Sequence, residues 1–356
     1  MSKHIDTLDV QLSIRPSKKE TIKHKMFPSL SEEGIYELSL PNLHLGFRYE
    51  CRGYYLLVKL SHQFMVGIED SKELENKVLE TVTNFFNINL NDISKYKVVN
   101  TSSSKIRVKC KNKQITRKLE ENRLSNDVVE LNRIEYKNDF RMTEPDEKLA
   151  IIDILRISTD KFNKSQKGLW KYHNRTNCTY TTKNNNYVSI TCYFKEYERL
   201  EAKDIAGAEK YKKIFRTEVK VKNAHLNSYR KYRDKILANY FKPEMAKKYF
   251  GKYIQPIFFT EPFFRIDVAI LKIYESKKLK ESIKTRLGEF LTKINEVGIT
   301  ETRKGYNSRT FRSYIQEVRK IGINPLCFSE FINEKKIEIK KIDNFIMFEN
   351  SIEEDI

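Results

Sequence analysis

Two periodicities divide the chain. Up to residue 260, short runs alternate apolar and polar residues, the period of a strand whose successive side chains point to opposite faces. Gly46-Phe47-Arg48-Tyr49-Glu50 and Tyr54-Tyr55-Leu56-Leu57-Val58-Lys59-Leu60 are such runs, and Arg52-Gly53 between them predicts a hairpin. Further strands are predicted over 96–99 and 106–110, around Ser102-Ser103-Ser104, and over 131–141, 187–195 and 214–222. Helical stripes interrupt them. Leu74, Val78, Leu79, Val82, Phe85 and Phe86 predict an amphipathic helix over 71–88. Another is predicted over 145–157, with Thr143 and Asp146 spaced as an approximate capping box. A basic helical connection joins the last two strands, and a Tyr-rich helix is expected over 228–241, stopped near Pro243. Residues 112–128 read as helix or loop, and Asn184-Asn185-Asn186 as a turn.

From Phe263 the alternation gives way to a helical period. Ile266, Ala269, Ile270 and Ile273 form one stripe; Leu279, Ile283, Leu287, Phe290, Leu291 and Ile294 form a second; Phe311, Tyr314, Ile315 and Val318 form a third. Gly322-Ile323-Asn324-Pro325 ends the last helix with glycine in the C-cap region. The pattern predicts an α+β chain with a C-terminal helical domain. Residues 1–44 read as a basic N-terminal arm, loosely ordered over 1–30, 45–260 as the main domain, 261–328 as the helical domain and 329–356 as a tail with an acidic end.

Charge narrows the function. The 356 residues carry a net charge of +19, which points to a polyanion, nucleic acid before an anionic membrane surface. No stretch approaches the ~18 apolar residues of a membrane span, and Met1–Pro28 lacks the apolar core of a signal peptide. The five cysteines lack Cys-x-x-Cys spacing, so neither a disulfide framework nor a zinc signature is expected, and reduced cytosolic thiols are. With 11 glycines and no Walker or Gly-x-Gly-x-x-Gly motif, phosphate-cradling loops are not expected.

The candidate chemistry lies between Asn132 and Tyr232. Glu135 and Asp139, four apart on a strand, share a face. Oxygen ligands on a rigid face suit Mg²⁺ or Mn²⁺, although an ordinary wet strand face looks the same. Glu218, Lys220 and Lys222 share a face opposite Val219 and Val221, as a metal-site strand or a solvated one. Tyr229 and Tyr232 continue with Ile236 and Tyr240 at helical spacing, either a core stripe or phenols placed as nucleophiles. Arg230, Lys231, Arg233 and Lys235 surround them, and from 205 to 235 ten Lys or Arg face three acids. Of six histidines, His225 is the best placed, close in sequence to Glu218 and Tyr229. Ser308 is expected to cap a helix that offers Arg309 and Arg312 in its first turns, either to a DNA groove or as the surface of a small bundle.

These segments resemble the rolling-circle replication initiators of the filamentous-phage gene II/X type, in the form found on plasmids and phages of Firmicutes. The resemblance rests on Asn132-Arg133-Ile134-Glu135-Tyr136 with Asp139, Ile190-Thr191-Cys192-Tyr193-Phe194-Lys195-Glu196-Tyr197-Glu198-Arg199, Phe215-Arg216-Thr217-Glu218-Val219-Lys220-Val221-Lys222-Asn223 with His225-Leu226-Asn227, and Gly322-Ile323-Asn324-Pro325. Their order matches across about 45–325. The sequence departs from the pattern at Glu135, where many relatives carry Asp, and at Thr217, where they carry Phe. It also lacks the paired-histidine motif of other rolling-circle enzymes.

The resemblance implies an antiparallel sheet with flanking helices, related to relaxase-like nucleases. It implies a bacterial, cytoplasmic enzyme that nicks one strand of an origin, single-stranded or hairpin. A tyrosine would stay joined to the 5′ phosphate and leave a 3′ hydroxyl for a polymerase. Host helicase and polymerase become expected partners, a membrane does not, and a homodimer stays open. Carried onto this chain, Glu135, Asp139, Glu218 and Glu198 become ligands for Mg²⁺ or Mn²⁺. Tyr229 becomes the nucleophile with Tyr232 second, and Lys195 and His225 line the site. Arg216, Lys220, Lys222, Arg230, Lys231, Arg309 and Arg312 are the DNA contacts. A non-catalytic DNA-binding repressor or adaptor, and a hydrolytic metal-dependent nuclease, are the alternatives.

Overall fold

The structure, a computed structural model, describes residues 4–14, 16–26, 36–50, 53–90, 93, 129–142, 145–158, 162–163, 179–182, 187–226, 235–259 and 261–337. Outside them lie the strands expected over 96–99 and 106–110, residues 112–128, Thr143, the Asn184–Asn186 turn and the acidic end. The elements in chain order are β1 (Ile5–Ile14), α1 (Lys19–Met26), β2 (Tyr36–Leu40), β3 (Leu43–Glu50), β4 (Gly53–Ser61), α2 (Ser71–Phe86), β5 (Val129–Arg141), α3 (Pro145–Ile157), β6 (Phe162–Asn163), β7 (Thr179–Thr182) and β8 (Val188–Phe194). Then follow α4 (Lys195–Glu201), α5 (Ile205–Lys210), β9 (Ile214–Val221), α6 (Pro243–Tyr253), β10 (Phe263–Phe264), α7 (Ile266–Glu275), α8 (Glu281–Val297), α9 (Ile299–Lys304), α10 (Ser308–Lys320) and β11 (Lys336–Ile337). The fold is α+β with an antiparallel sheet and helices. Among the described residues no helix is long and apolar enough to cross a membrane.

The chain forms two compact units. The first draws on 1–137, 186–188 and 220–246, the second on 138–185, 189–219 and 247–356. In the first unit the strands run in the order β2-β3-β4-β1-β5, each antiparallel to its neighbour. The expected hairpin is β3–β4, with Glu50 opposite Gly53. The expected loose arm is instead structured: β1 lies between β4 and β5, and α1 follows it. The reason is in the residues. Leu8, Val10, Leu12 and Ile14 alternate and are buried, so β1 brings a full apolar face; the basic residues that suggested an arm come after Ile14.

The stripe predicted over 71–88 folds as α2. Asp70 caps it, accepting from the backbone N–H groups of Lys72 at 2.8 Å and Glu73 at 2.9 Å. Leu74, Val78, Leu79, Val82 and Phe86 turn inward. The helix expected over 228–241 is corrected at its described end. Lys235 and Ile236 are bonded to β5, with Leu131 N donating to Lys235 O at 2.8 Å and Ile236 bridging Glu130. Only Leu237–Tyr240 makes a helical turn. Lys235 O and Ile236 complete the ladder along β5, and that pairing overrides the helical spacing of Ile236 and Tyr240.

In the second unit the end of β5 is followed by β9, β8, β7 and β6. β5 and β9 are antiparallel here: Met142 N donates to Lys213 O at 2.8 Å, and the Thr217 hydroxyl reaches Asn138 O at 3.4 Å. Helix α3 packs on α8. Arg156 Nη2 donates to Asn295 O at 3.0 Å, and Asp153 Oδ2 accepts from Ser329 N at 2.7 Å. Gly298, after α8, has φ +85 and lies against the Ile157 backbone, so a side chain there would be strained. Gly322 after α10 has φ +78, the left-handed C-cap expected of it.

Candidate active site

Alternation along β9 sets Arg216 and Glu218 on one face and Phe215, Thr217 and Val219 on the other. Neighbouring β5 and β8 add Asp139 and Tyr193 to the polar row, and Lys195 starts α4 directly after β8. All belong to the second unit. Arg216 grips Asp139 as a fork, Nε donating to Oδ1 at 2.6 Å and Nη2 to Oδ2 at 2.7 Å. The Tyr193 hydroxyl donates to Glu218 Oε1 at 2.6 Å. Lys195 pairs with Glu198 one turn on, and its ammonium lies 5.8 Å from the Tyr193 ring centre. Arg216, Glu218, Tyr193 and Lys195 are all buried.

Burial decides what these groups can do. It pushes the Tyr193 phenol well above its ordinary value, and the Glu218 carboxylate pushes it further, against the pull of Arg216. Tyr193 therefore remains a neutral donor at physiological pH and is unsuited to be a phenolate nucleophile. The Cys192 thiol is pushed up by burial and by Glu218, which makes it an inert core thiol.

Replacing Tyr193 with phenylalanine strips a short hydrogen bond from a buried carboxylate. The expected loss is about 1.5–3 kcal/mol in urea unfolding. The phenol's raised folded value means its contribution is complete below the unfolded value near ~10 and fades above it. The difference from the parent should hold from pH 6 to 9; a difference already gone at pH 8 would contradict the assignment.

The first unit carries a second polar row. Glu135 is buried, accepting from the Thr7 hydroxyl at 2.9 Å and pairing with Lys220 Nζ at 2.8 Å. Beside it Arg133 pairs with Asp9, Nη2 donating to Oδ1 at 3.0 Å and Nε lying 3.0 Å from Oδ2. Burial lifts the Asp9 carboxyl above its ordinary value, with Arg133 pulling it down. His225 is buried in the turn Asn223–Leu226 after β9.

The four acids expected to bind metal are thus each matched: Glu135 by Lys220, Asp139 by Arg216, Glu198 by Lys195 and Glu218 by Tyr193. Two expected DNA contacts, Arg216 and Lys220, are the partners of carboxylates, and Arg216 is 4% exposed. Lys222 is half-buried, its backbone N–H donating to Tyr187 O at 2.9 Å. Arg309 and Arg312 are exposed. Tyr229, Tyr232, Arg230 and Lys231 lie outside the described residues. No group of three or more His, Cys, Asp or Glu side chains placed to hold a metal ion occurs among the described residues.

No protein-family model matches the sequence, and a search of curated proteins finds no match either.

Sequence reasoning overlooked Tyr193, Thr7 and Lys148. Lys148 of α3 donates to Glu196 at 2.9 Å and to the Tyr197 hydroxyl at 2.6 Å, which ties α3 to α4. A signal for Tyr193 existed: it alternates with Ser189 and Thr191 on the polar side of β8, opposite Val188, Ile190 and Cys192. The register that sets it against Glu218 has no trace in a single sequence.

Proposed function

We propose that the chain initiates rolling-circle replication as a metal-dependent DNA strand transferase. The Tyr229 oxygen attacks a backbone phosphate of one strand and forms a 5′-phosphotyrosyl bond. The 3′ oxygen departs and takes up a proton as a free hydroxyl. The observation that carries this reading is the buried ionic row of the second unit: Asp139–Arg216, Glu218–Tyr193 and Lys195–Glu198 on adjacent strands and the helix that follows. Desolvated titratable groups with specific charge partners cluster at functional sites. The net charge of +19 and the order of the three carboxylate-bearing strands support it.

The donor set suits Mg²⁺ or Mn²⁺ in chemistry, since all four acids offer oxygen. Asp139 fits an arginine better than an ion, because both its oxygens accept from Arg216. Glu218, which accepts from the neutral Tyr193 phenol, is the carboxylate we take as the first donor. Glu198, whose field also reaches Tyr193, would be the second donor only by exchanging Lys195 for the ion. When bound, such a metal polarises the scissile phosphate. The chain's own part is to hold Glu218 with Tyr193 in a fixed rotamer and to keep water from the buried face.

The matching of every acid with a partner favours a second reading, a DNA-binding protein without chemistry. One experiment separates them. The full chain is incubated with Mn²⁺ and single strands tiled across the replicon that encodes it, then run on a denaturing gel. A covalent protein–DNA band supports strand transfer. Cleaved DNA without the band means a hydrolase, and retained but intact DNA means an adaptor.

A further inference from the structure

We infer that α9 and α10 form a helix-turn-helix whose second helix enters the major groove of duplex DNA. This duplex site is separate from the strand-transfer row and stands whether or not that row is catalytic. Helix α9 packs on α8, and its Thr302 is fully buried, the hydroxyl donating back to Gly298 O, the carbonyl that caps α9 itself, at 2.9 Å. Three residues later α10 begins. Its cap is Asn307, accepting from Thr310 N at 2.8 Å, so Ser308, expected as the cap, is the first helical residue. Asn307 wins because it sits one residue earlier, where its side chain reaches the third turn amide.

The inward face of α10 is fixed by Phe290 of α8. Its ring meets Tyr306, Phe311 and Tyr314 edge-on at 5.4–5.5 Å between centres, and Ile315 and Val318 complete the seam. With 100° per residue, that seam turns Arg309, Ser313, Gln316 and Lys320 to the opposite side, and Arg312 to its flank. All five are exposed.

Charge and chemistry point the same way. Across 299–320, six Lys or Arg face two Glu. Lys304 neutralises Glu301, Lys320 neutralises Glu317, and Arg319 pairs with Glu261 outside this stretch. Arg303, Arg309 and Arg312 are exposed and have no carboxylate partner among the described residues. On the sheet, by contrast, Arg133 and Arg216 each pair with a carboxylate. A guanidinium left open on an outward helix face matches the paired acceptors of guanine, and the Gln316 amide matches adenine. Ser313 and Lys320 suit base edges or phosphate.

The test uses the full chain and a randomised pool of duplexes about two helical turns long, with selection for retained DNA followed by affinity measurement on the enriched duplex. Enrichment of a sequence motif is expected. R309A/R312A should weaken that duplex by roughly 5- to 150-fold per lost arginine–guanine pair. K277A/K278A, two exposed lysines of the same unit that carry the same charge change, should cost little. Q316A, which changes no charge, should alter the preferred base at one position. All these positions are exposed, so thermal unfolding should match the parent. The inference is overturned if no motif is enriched, if R309A/R312A binds like the parent, or if both double variants weaken equally, which would mean non-specific charge alone.

Discussion

Tyr229→Phe is expected to abolish the covalent protein–DNA band, and Tyr232→Phe to leave it. Phenylalanine keeps the ring and removes the only atom that can bond to phosphorus. Loss of a covalent nucleophile typically lowers turnover by about 10⁴–10⁶-fold, which on a gel is disappearance. Binding of single strands should be nearly unchanged, since the surrounding cations Arg230, Lys231 and Arg233 remain. Tyr193 is the informative control. Its phenol is buried, donates to Glu218 and is held in the neutral form, so Tyr193→Phe should still give the band, more slowly. A full-strength band from Tyr229→Phe would remove that residue from the mechanism. Loss with Tyr232→Phe instead would move the attack three residues on.

The largest expected stability effect is at Arg216. Removing its guanidinium, as in Arg216→Met, leaves the Asp139 carboxylate without its fork in a site where the arginine side chain is 5% and the aspartate side chain 17% exposed. Breaking one side of a buried pair generally costs about 3–5 kcal/mol. Urea unfolding should show that loss as a lower midpoint with an unchanged slope. The double variant Asp139→Leu with Arg216→Met should recover much of it, because an apolar pair of similar volume leaves no stranded charge. If the double variant is no better than the single one, Arg216 does more than answer Asp139, and the fork is not the reason for its burial.

What the sequence disclosed was period and face. Alternation in Asn132–Asp139 and Phe215–Lys222 is what β5 and β9 show, and the Leu74–Phe86 stripe is the inward face of α2. Strand β1 is just as legible in Leu8, Val10, Leu12 and Ile14, but the lysines and arginines that follow it dominate the composition of the N-terminal stretch. What it withheld was register. That Asp139 meets Arg216, that Glu135 meets Lys220 and that Glu218 meets Tyr193 depends on how antiparallel strands slide, and a one-residue slip would exchange every partner. The end of the Tyr-rich segment departs from its helical spacing because that spacing is a local signal, whereas the bond from Leu131 N to Lys235 O is a tertiary one.

The pairing of Asp139 with Arg216 and of Glu135 with Lys220 has an electrical consequence. Opposite charges locked together at 2.6–2.8 Å cancel at any distance beyond a few ångströms, so the sheet's ionic rows are nearly silent to an approaching polyanion. The long-range pull of a +19 molecule must then come from its unpaired surface lysines and arginines. Capture of a nucleic acid should slow steeply as ionic strength rises, while the buried pairs themselves should hardly notice the salt.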